Sequence, residues 1–168
     1  MRSSLVYLFL ILPLACTPGQ KNTDGDITKV KLRELTNQSE ANDPGDIDLG
    51  RYKGKTVFVN FWATWCRPCI QEMPTIERAQ EKLKNGEIVF LFASNEEPDQ
   101  LQKFIKKHSF PFHYVHLENL EELKIQGLPT TFIFNREGKL KFSETGSRAW
   151  DTPENIELIT HIMNDYEK

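Results

Sequence analysis

Two cysteines spaced three residues apart, just after a strongly apolar segment, constrain this chain more than any other feature. Residues 56–62 read TVFVNFW, a predominantly apolar run rich in β-branched and aromatic residues that predicts a buried strand. Cys66 and Cys69 follow after a short loop, at the start of a predicted helix. That helix runs to about residue 84, where Asn-Gly indicates its end. The pattern therefore places a CxxC motif at a helix N-terminus directly after a buried strand.

This placement favours redox chemistry. Residues three apart on a helix share a face, with Cβ atoms about 5–6 Å apart, so the two sulfurs can form a disulfide after slight adjustment. Free backbone N–H groups and the helix dipole stabilise a thiolate at Cys66, and the positive charge of Arg67 adds to this effect. Cys69 lies one turn deeper, where it can attack a mixed disulfide formed at Cys66.

Two other uses of a CxxC motif stay open on these residues alone. The pair can be half of a zinc site, although such a site needs about four ligands and the sequence has no second CxxC motif. His113 and His116 would point to opposite faces of an extended segment. The pair can also be a structural disulfide, but a bridge that closes so short a loop adds little stability.

The remaining periodicity predicts an α/β fold. Further strands are predicted around residues 30–35, 47–49, 87–94, 113–116, 130–134 and 139–142, and further helices around 99–107 and 153–166. Strands alternate with helices in the first part, and a hairpin with a closing helix follows. This order is typical of a mixed central β-sheet flanked by helices.

Composition excludes several classes of protein. A chain of 168 residues suits one domain and can bury a core without disulfide staples, and its three cysteines are too few for a disulfide scaffold. With 21 basic and 24 acidic residues, the net charge is −3. There is thus no strong positive field to hold nucleic acid, and no nucleic-acid partner is expected.

The N-terminal residues have the composition of a targeting segment. Residues 5–14 form an apolar run of about ten residues, shorter than the roughly 20 that a membrane span needs. Residues 1–16 are predicted to be a signal peptide that resembles the bacterial lipoprotein type, with Cys16 as the lipidated residue. Simple secretion and an uncleaved anchor are the alternatives. Residues 17–26 are predicted to be a flexible tether and 27–168 a folded domain, located outside the cytoplasm and held to the membrane by the lipid.

The motif around the cysteines resembles a known family. Trp-Cys-x-x-Cys after VNFWA resembles the thioredoxin superfamily, and Cys-Ile-Gln-Glu-Met-Pro from Cys69 is similar to its TlpA/ResA-like extracytoplasmic branch. The resemblance covers about residues 46–166 and includes Gly-Leu-Pro-Thr-Thr from Gly127. It implies a thioredoxin-like fold with an N-terminal β-hairpin extension, and a protein disulfide oxidoreductase that needs no cofactor or metal.

The resemblance also implies a proton acceptor. In TlpA/ResA-like proteins a glutamate at the position of Glu72 assists thiol deprotonation, so Glu72 is expected to exchange a proton with Cys69. A partly buried carboxyl with a raised pKa suits this role. Asn60 occupies the position where cytoplasmic thioredoxins carry a buried Asp, and an amide cannot titrate. An exposed helical position is the alternative for Glu72.

Five further residues are expected to bind substrate. The resemblance implies a cis bond between Leu128 and Pro129, in a loop lying against the CxxC motif, and the Leu128 backbone would pair with substrate as an added strand. Trp65 is expected to form an exposed apolar collar, flanked by Arg67 and Pro68.

The leading function is a reductase of protein disulfides in the cell envelope, supplied with electrons by a membrane-bound donor. Apocytochrome c is one candidate substrate, although the Glu that often follows the conserved proline in dedicated cytochrome c maturation proteins is absent here. One alternative is a copper-binding chaperone of the Sco type, which uses CxxxC rather than CxxC. The other is a peroxiredoxin-type peroxidase, whose Pro-Thr-x-x-Cys motif is also missing.

Overall fold

The computed structural model describes residues 27–35, 46–47 and 49–165. The predicted signal peptide, its Cys16 and the predicted tether lie outside the described residues. Within those ranges no helix is both long enough and apolar enough to cross a membrane.

The described residues form seven strands, three α-helices and two short 3-10 helices. The strands are β1 (Leu32–Glu34), β2 (Asp46–Ile47), β3 (Thr56–Phe61), β4 (Ile88–Ser94), β5 (His113–Leu117), β6 (Thr130–Phe134) and β7 (Leu140–Thr145). The α-helices are α1 (Arg67–Leu83), α2 (Pro98–His108) and α3 (Pro153–Asn164), and the 3-10 helices span Ile27–Lys29 and Leu49–Tyr52.

All the described strands belong to one mixed sheet with the order β2-β1-β5-β4-β3-β6-β7. Strands β3, β4 and β5 are parallel, and β6 and β7 continue the sheet antiparallel on the other side of β3. The β1–β2 hairpin extends the opposite edge by pairing antiparallel with β5. The predicted fold class, with its N-terminal hairpin extension, is confirmed.

Strand β3 lies at the centre of the sheet and is buried on both faces, so all six of its residues are buried. Phe58 packs in a cluster with buried side chains from all three α-helices. Val57 and Val59 point the opposite way and pack in a second cluster with β1, β2 and the 3-10 helix Leu49–Tyr52. The predicted strand at 47–49 is shorter than expected, because Leu49 leaves the sheet to begin that 3-10 helix.

The register of β3 sets where the cysteine motif lies. Phe61, the last residue of β3, pairs with Thr130, the first residue of β6. Cys66 follows Phe61 and Pro129 precedes Thr130 in the chain. The CxxC motif and the Leu128–Pro129 segment therefore leave the sheet from the same end.

Candidate active site

Cys66 and Cys69 form a disulfide at the start of α1, with their Cα atoms 5.3 Å apart. Cys66 is the N-cap residue with extended backbone angles, and its Sγ accepts a hydrogen bond from the Cys69 N–H at 3.3 Å. Pro68 lies in the first turn, where a residue without an N–H is tolerated and its fixed φ suits a helix. The local sequence thus builds a helix N-terminus whose free amides face the Cys66 sulfur.

Both cysteines are buried, whereas three of the residues next to them in the chain are exposed to solvent. Cys66 is 4% exposed and Cys69 is fully buried, whereas Trp65 is 74% exposed. Arg67 and Pro68 are also exposed. Trp65 is therefore a large apolar side chain exposed to water beside the disulfide.

Glu72 is buried one turn beyond Cys69, with 3% of its surface exposed. One carboxyl oxygen accepts a hydrogen bond from Asn60 Nδ2 at 2.8 Å, and the other accepts one from the Arg148 backbone N–H at 3.0 Å. Burial raises the pKa of Glu72 from its ordinary value of 4.5 to about 7, and these two hydrogen bonds lower it in part. The carboxyl can therefore take up or release a proton near neutral pH.

Asn60 connects the central strand to this carboxyl. It is the last residue but one of β3, is fully buried, and donates a second hydrogen bond to Thr131 Oγ1 at 3.1 Å. Thr131 is also its cross-strand partner in β6. The Asn60 amide therefore holds Glu72 in place without being able to ionise itself.

Glu96 fixes the loop that precedes Cys66. Its carboxylate accepts hydrogen bonds from both the backbone N–H and the hydroxyl of Thr64, each at 2.6 Å. Ser94 Oγ donates a third hydrogen bond to the same carboxylate at 3.2 Å. The loop between β4 and α2 thus restrains the chain two residues before the cysteine motif.

The peptide bond between Leu128 and Pro129 is cis, as the resemblance implies. Leu128 is half-buried and packs against both apolar clusters, and the Pro129 carbonyl accepts a hydrogen bond from the Gly146 N–H at 2.8 Å. The loop is therefore anchored on its inner side at the sheet end that carries the cysteines.

The structure adds residues that sequence reasoning missed, namely Glu96, Thr131 and Arg148. Each acts through a partner at least 30 residues away in the chain, as the separations of 32, 71 and 76 residues show. No local motif signals such pairs. Within the described residues, no group of three or more His, Cys, Asp or Glu side chains is arranged to hold a metal ion.

Comparison with known proteins gives one consistent result. A family model described as Redoxin matches residues 23–158. The thiol-disulfide oxidoreductase ResA of Bacillus thuringiensis subsp. konkukian is 30% identical over 149 residues, which cover 83% of this chain and 86% of that protein. ResA of Bacillus subtilis is 33% identical over 105 residues, covering 60% of this chain and 59% of ResA.

Solved structures match in fold. StoA from Bacillus subtilis superposes with a TM-score of 0.57 at 22% identity, covering 78% of this chain and 96% of StoA. The thioredoxin domain of a thiol-disulfide oxidoreductase from Bacteroides vulgatus gives a TM-score of 0.61 at 22% identity, covering 72% of this chain and 88% of that domain.

Proposed function

The chain belongs to the redoxin family and is a ResA-like thiol-disulfide oxidoreductase, and we propose that it reduces protein disulfides outside the cytoplasm through Cys66 and Cys69. The observation that carries this proposal is the Cys66–Cys69 disulfide at the N-terminus of α1, with the buried Glu72 carboxyl one turn beyond it.

In the first step the Cys66 thiolate attacks one sulfur of a substrate disulfide. A bond forms between the Cys66 sulfur and that substrate sulfur, the substrate S–S bond breaks, and the other substrate sulfur leaves as a thiolate that takes a proton. The free backbone N–H groups and the dipole at the N-terminus of α1 stabilise the thiolate form of Cys66, which is the attacking nucleophile.

In the second step Cys69 resolves the mixed disulfide. The ionised Glu72 takes the proton from the Cys69 thiol, and the resulting thiolate attacks the Cys66 sulfur. The bond to substrate breaks and the second substrate thiolate leaves. The substrate has then gained two electrons, and the enzyme holds the Cys66–Cys69 disulfide, which a separate membrane-bound thiol donor would reduce again.

The surface around the disulfide supports binding of an extended protein segment. Trp65 would cover apolar substrate side chains, with Arg67 and Pro68 beside it. The Leu128 backbone would pair with the substrate main chain, since the cis Pro129 that follows lies at the same end of the sheet.

Replacing Cys69 with Ser tests the mechanism. Cys66 would still attack a substrate disulfide, but resolution would be blocked, so Cys69→Ser is expected to accumulate mixed disulfides that dissolve on adding a reductant. The measurement is non-reducing electrophoresis with a disulfide-bonded test protein, and Cys66→Ser is the matched control that should trap nothing. Equal trapping by both variants, or none by either, would refute the assignment.

The location is tested separately. Lipidation at Cys16 would attach the domain to the outer face of a bacterial membrane, and Cys16→Ala is then expected to release it from the membrane fraction without changing its redox activity. A variant that stays in the membrane fraction would support an uncleaved anchor instead. Wild-type protein that is found free of the membrane would support simple secretion.

A further inference from the structure

The segment 146–150, which follows β7, is attached to α1 by backbone groups. The Arg148 N–H donates to Glu72 Oε2 at 3.0 Å. Thr75 Oγ1 accepts a hydrogen bond from the Trp150 N–H at 3.1 Å. Its single hydroxyl hydrogen is shared between the Glu72 carbonyl at 2.7 Å and the Arg148 carbonyl at 3.3 Å. Two positions of α1, one turn apart, therefore bind this segment, and one of them is the proposed proton acceptor.

The Arg148 side chain holds the same segment from the other side. Its guanidinium donates to both Glu144 carboxyl oxygens, at 2.6 and 3.2 Å, and to Asn155 Oδ1 at 2.7 Å. It also lies over the rings of Phe142 and Trp150, at 5.2 and 5.6 Å from their centroids. The planar guanidinium thus links β7 to α3 across the base of the segment.

Asn155 completes this arrangement, because its Nδ2 donates to the Ala149 carbonyl at 2.8 Å. The one side chain therefore binds both the guanidinium and the backbone of the segment. The Arg148 N–H, the Ala149 carbonyl and the Trp150 N–H all have hydrogen-bond partners, and the Arg148 side chain is fixed at the same place as the backbone that carries it.

An open cleft of about 220 Å³ lies beside Glu72. Its walls are formed by Gln71, Glu72, Thr75, Ser147, Arg148 and Ala149. The segment that binds the carboxyl is thus also one wall of its route to solvent. A shift of the segment would change both the hydrogen bond to Glu72 and the access of water to it.

We propose that Arg148 is a positioning residue of the active site, whose guanidinium fixes the segment 146–150 so that its own backbone N–H stays bound to Glu72. The side chain acts on Glu72 through the backbone that carries it and does not touch the reacting sulfurs. The inference rests on the proposed role of Glu72 in the redox reaction. It adds a residue outside the cysteine motif that influences how easily the Glu72 carboxyl releases its proton.

The test is the titration of Glu72 followed by carboxyl ¹³C NMR, together with the pH–rate profile of thiol exchange. In Arg148→Met the backbone N–H remains but its anchor is lost, so the hydrogen bond that favours the ionised carboxyl weakens. The Glu72 midpoint is then expected to rise by about 0.5–1 pH unit. The matched control is Arg51→Met. Arg51 also has an ion pair, to Glu34 at 3.5 Å, and a ring contact, to Tyr52 at 5.1 Å. Its replacement should leave the titration midpoint of Glu72 unchanged.

Glu144→Gln separates positioning from simple electrostatics and also serves if Arg148→Met does not fold. Loss of the negative charge of Glu144 can by itself only lower the pKa of Glu72, whereas a loosened Arg148 would raise it. A rise in both variants supports the positioning role, and a fall or no change in Glu144→Gln overturns it. If the midpoint rises but the rate profile does not follow, the positioning role stands and the proposed role of Glu72 in exchange fails.

Discussion

Replacing Glu72 with Gln removes the ionisation of a buried carboxyl while keeping the size of the side chain. Glu72 is 3% exposed, and its two oxygens are held by Asn60 Nδ2 at 2.8 Å and the Arg148 N–H at 3.0 Å. A glutamine can keep one of these hydrogen bonds through its carbonyl. The main difference between the two proteins is therefore that ionisation of the buried Glu72 costs desolvation free energy in the wild type, whereas the glutamine of the variant stays neutral.

The size of the effect follows from the pKa of this carboxyl. The folded state holds its proton up to about pH 7, whereas an ordinary carboxyl releases it at 4.5. The stability that Glu72 contributes is therefore fully present below pH 4.5 and is lost as the pH rises through 7. One pH unit of difference corresponds to about 1.36 kcal/mol, so wild type should lose roughly 3 kcal/mol relative to Glu72→Gln across this interval.

The assay is urea unfolding of the oxidised proteins at several values between about pH 4 and pH 8. The free energy of unfolding of wild type minus that of Glu72→Gln is expected to fall with rising pH and to level off in the alkaline range. Glu81→Gln, on the exposed face of the same helix, is the matched control for removing a carboxylate from α1. Parallel curves for wild type and Glu72→Gln would refute the raised pKa and, with it, proton exchange by Glu72 at neutral pH.

Two further substitutions probe the groups around the disulfide. Asn60→Asp places a second carboxyl beside Glu72, at the position from which Asn60 Nδ2 donates at 2.8 Å in the wild type. The two carboxyls should share one proton, and the upper apparent pKa of the pair should rise by about one unit or more. An unchanged carboxyl ¹³C titration would contradict this expectation. Glu96→Ala removes both hydrogen bonds to Thr64 and should lower the free energy of unfolding in urea by about 1–3 kcal/mol. Glu97→Ala, its neighbour in the chain, should leave that free energy unchanged, and equal losses in the two variants would contradict the role of Glu96.

Elements with strong local signals were predictable from the sequence. The apolar run that begins at Thr56 forms β3, and the helix after Cys66 ends one residue before the predicted Lys84. The last hairpin was predicted in place, but β7 continues to Thr145 rather than ending near residue 142. The extension follows from pairing, since Thr145 lies opposite Thr130 in β6, and a strand's length is set by its partner as much as by its own residues.

The site was predictable where its residues share one stretch of chain. The cysteine pair and Glu72 lie on one helix, and their spacing alone places them on one face. The pKa of Glu72 depends on its burial, which raises it, and on the hydrogen bond from the Arg148 N–H, 76 residues away in the chain, which lowers it in part. Long-range contacts of this kind leave no periodic or local signal, and the fold has to be built before they can be seen.

Asn60 cannot ionise, so in the proposed mechanism the proton acceptor lies on the helix and not on the strand. A strand position is fixed by the sheet, so a carboxyl there would keep its place whatever happened at the cysteines. Glu72 instead belongs to α1, so the proposed acceptor and the Cys69 thiol that it would serve are held by the same helix. Asn60 and the Arg148 N–H then need only hold the carboxyl by hydrogen bonds that a side chain can lengthen or shorten as the proton moves. This arrangement couples the state of the proton to the strength of two contacts outside the helix, and it predicts that substitutions at either contact change the pH dependence of exchange more than its maximal rate.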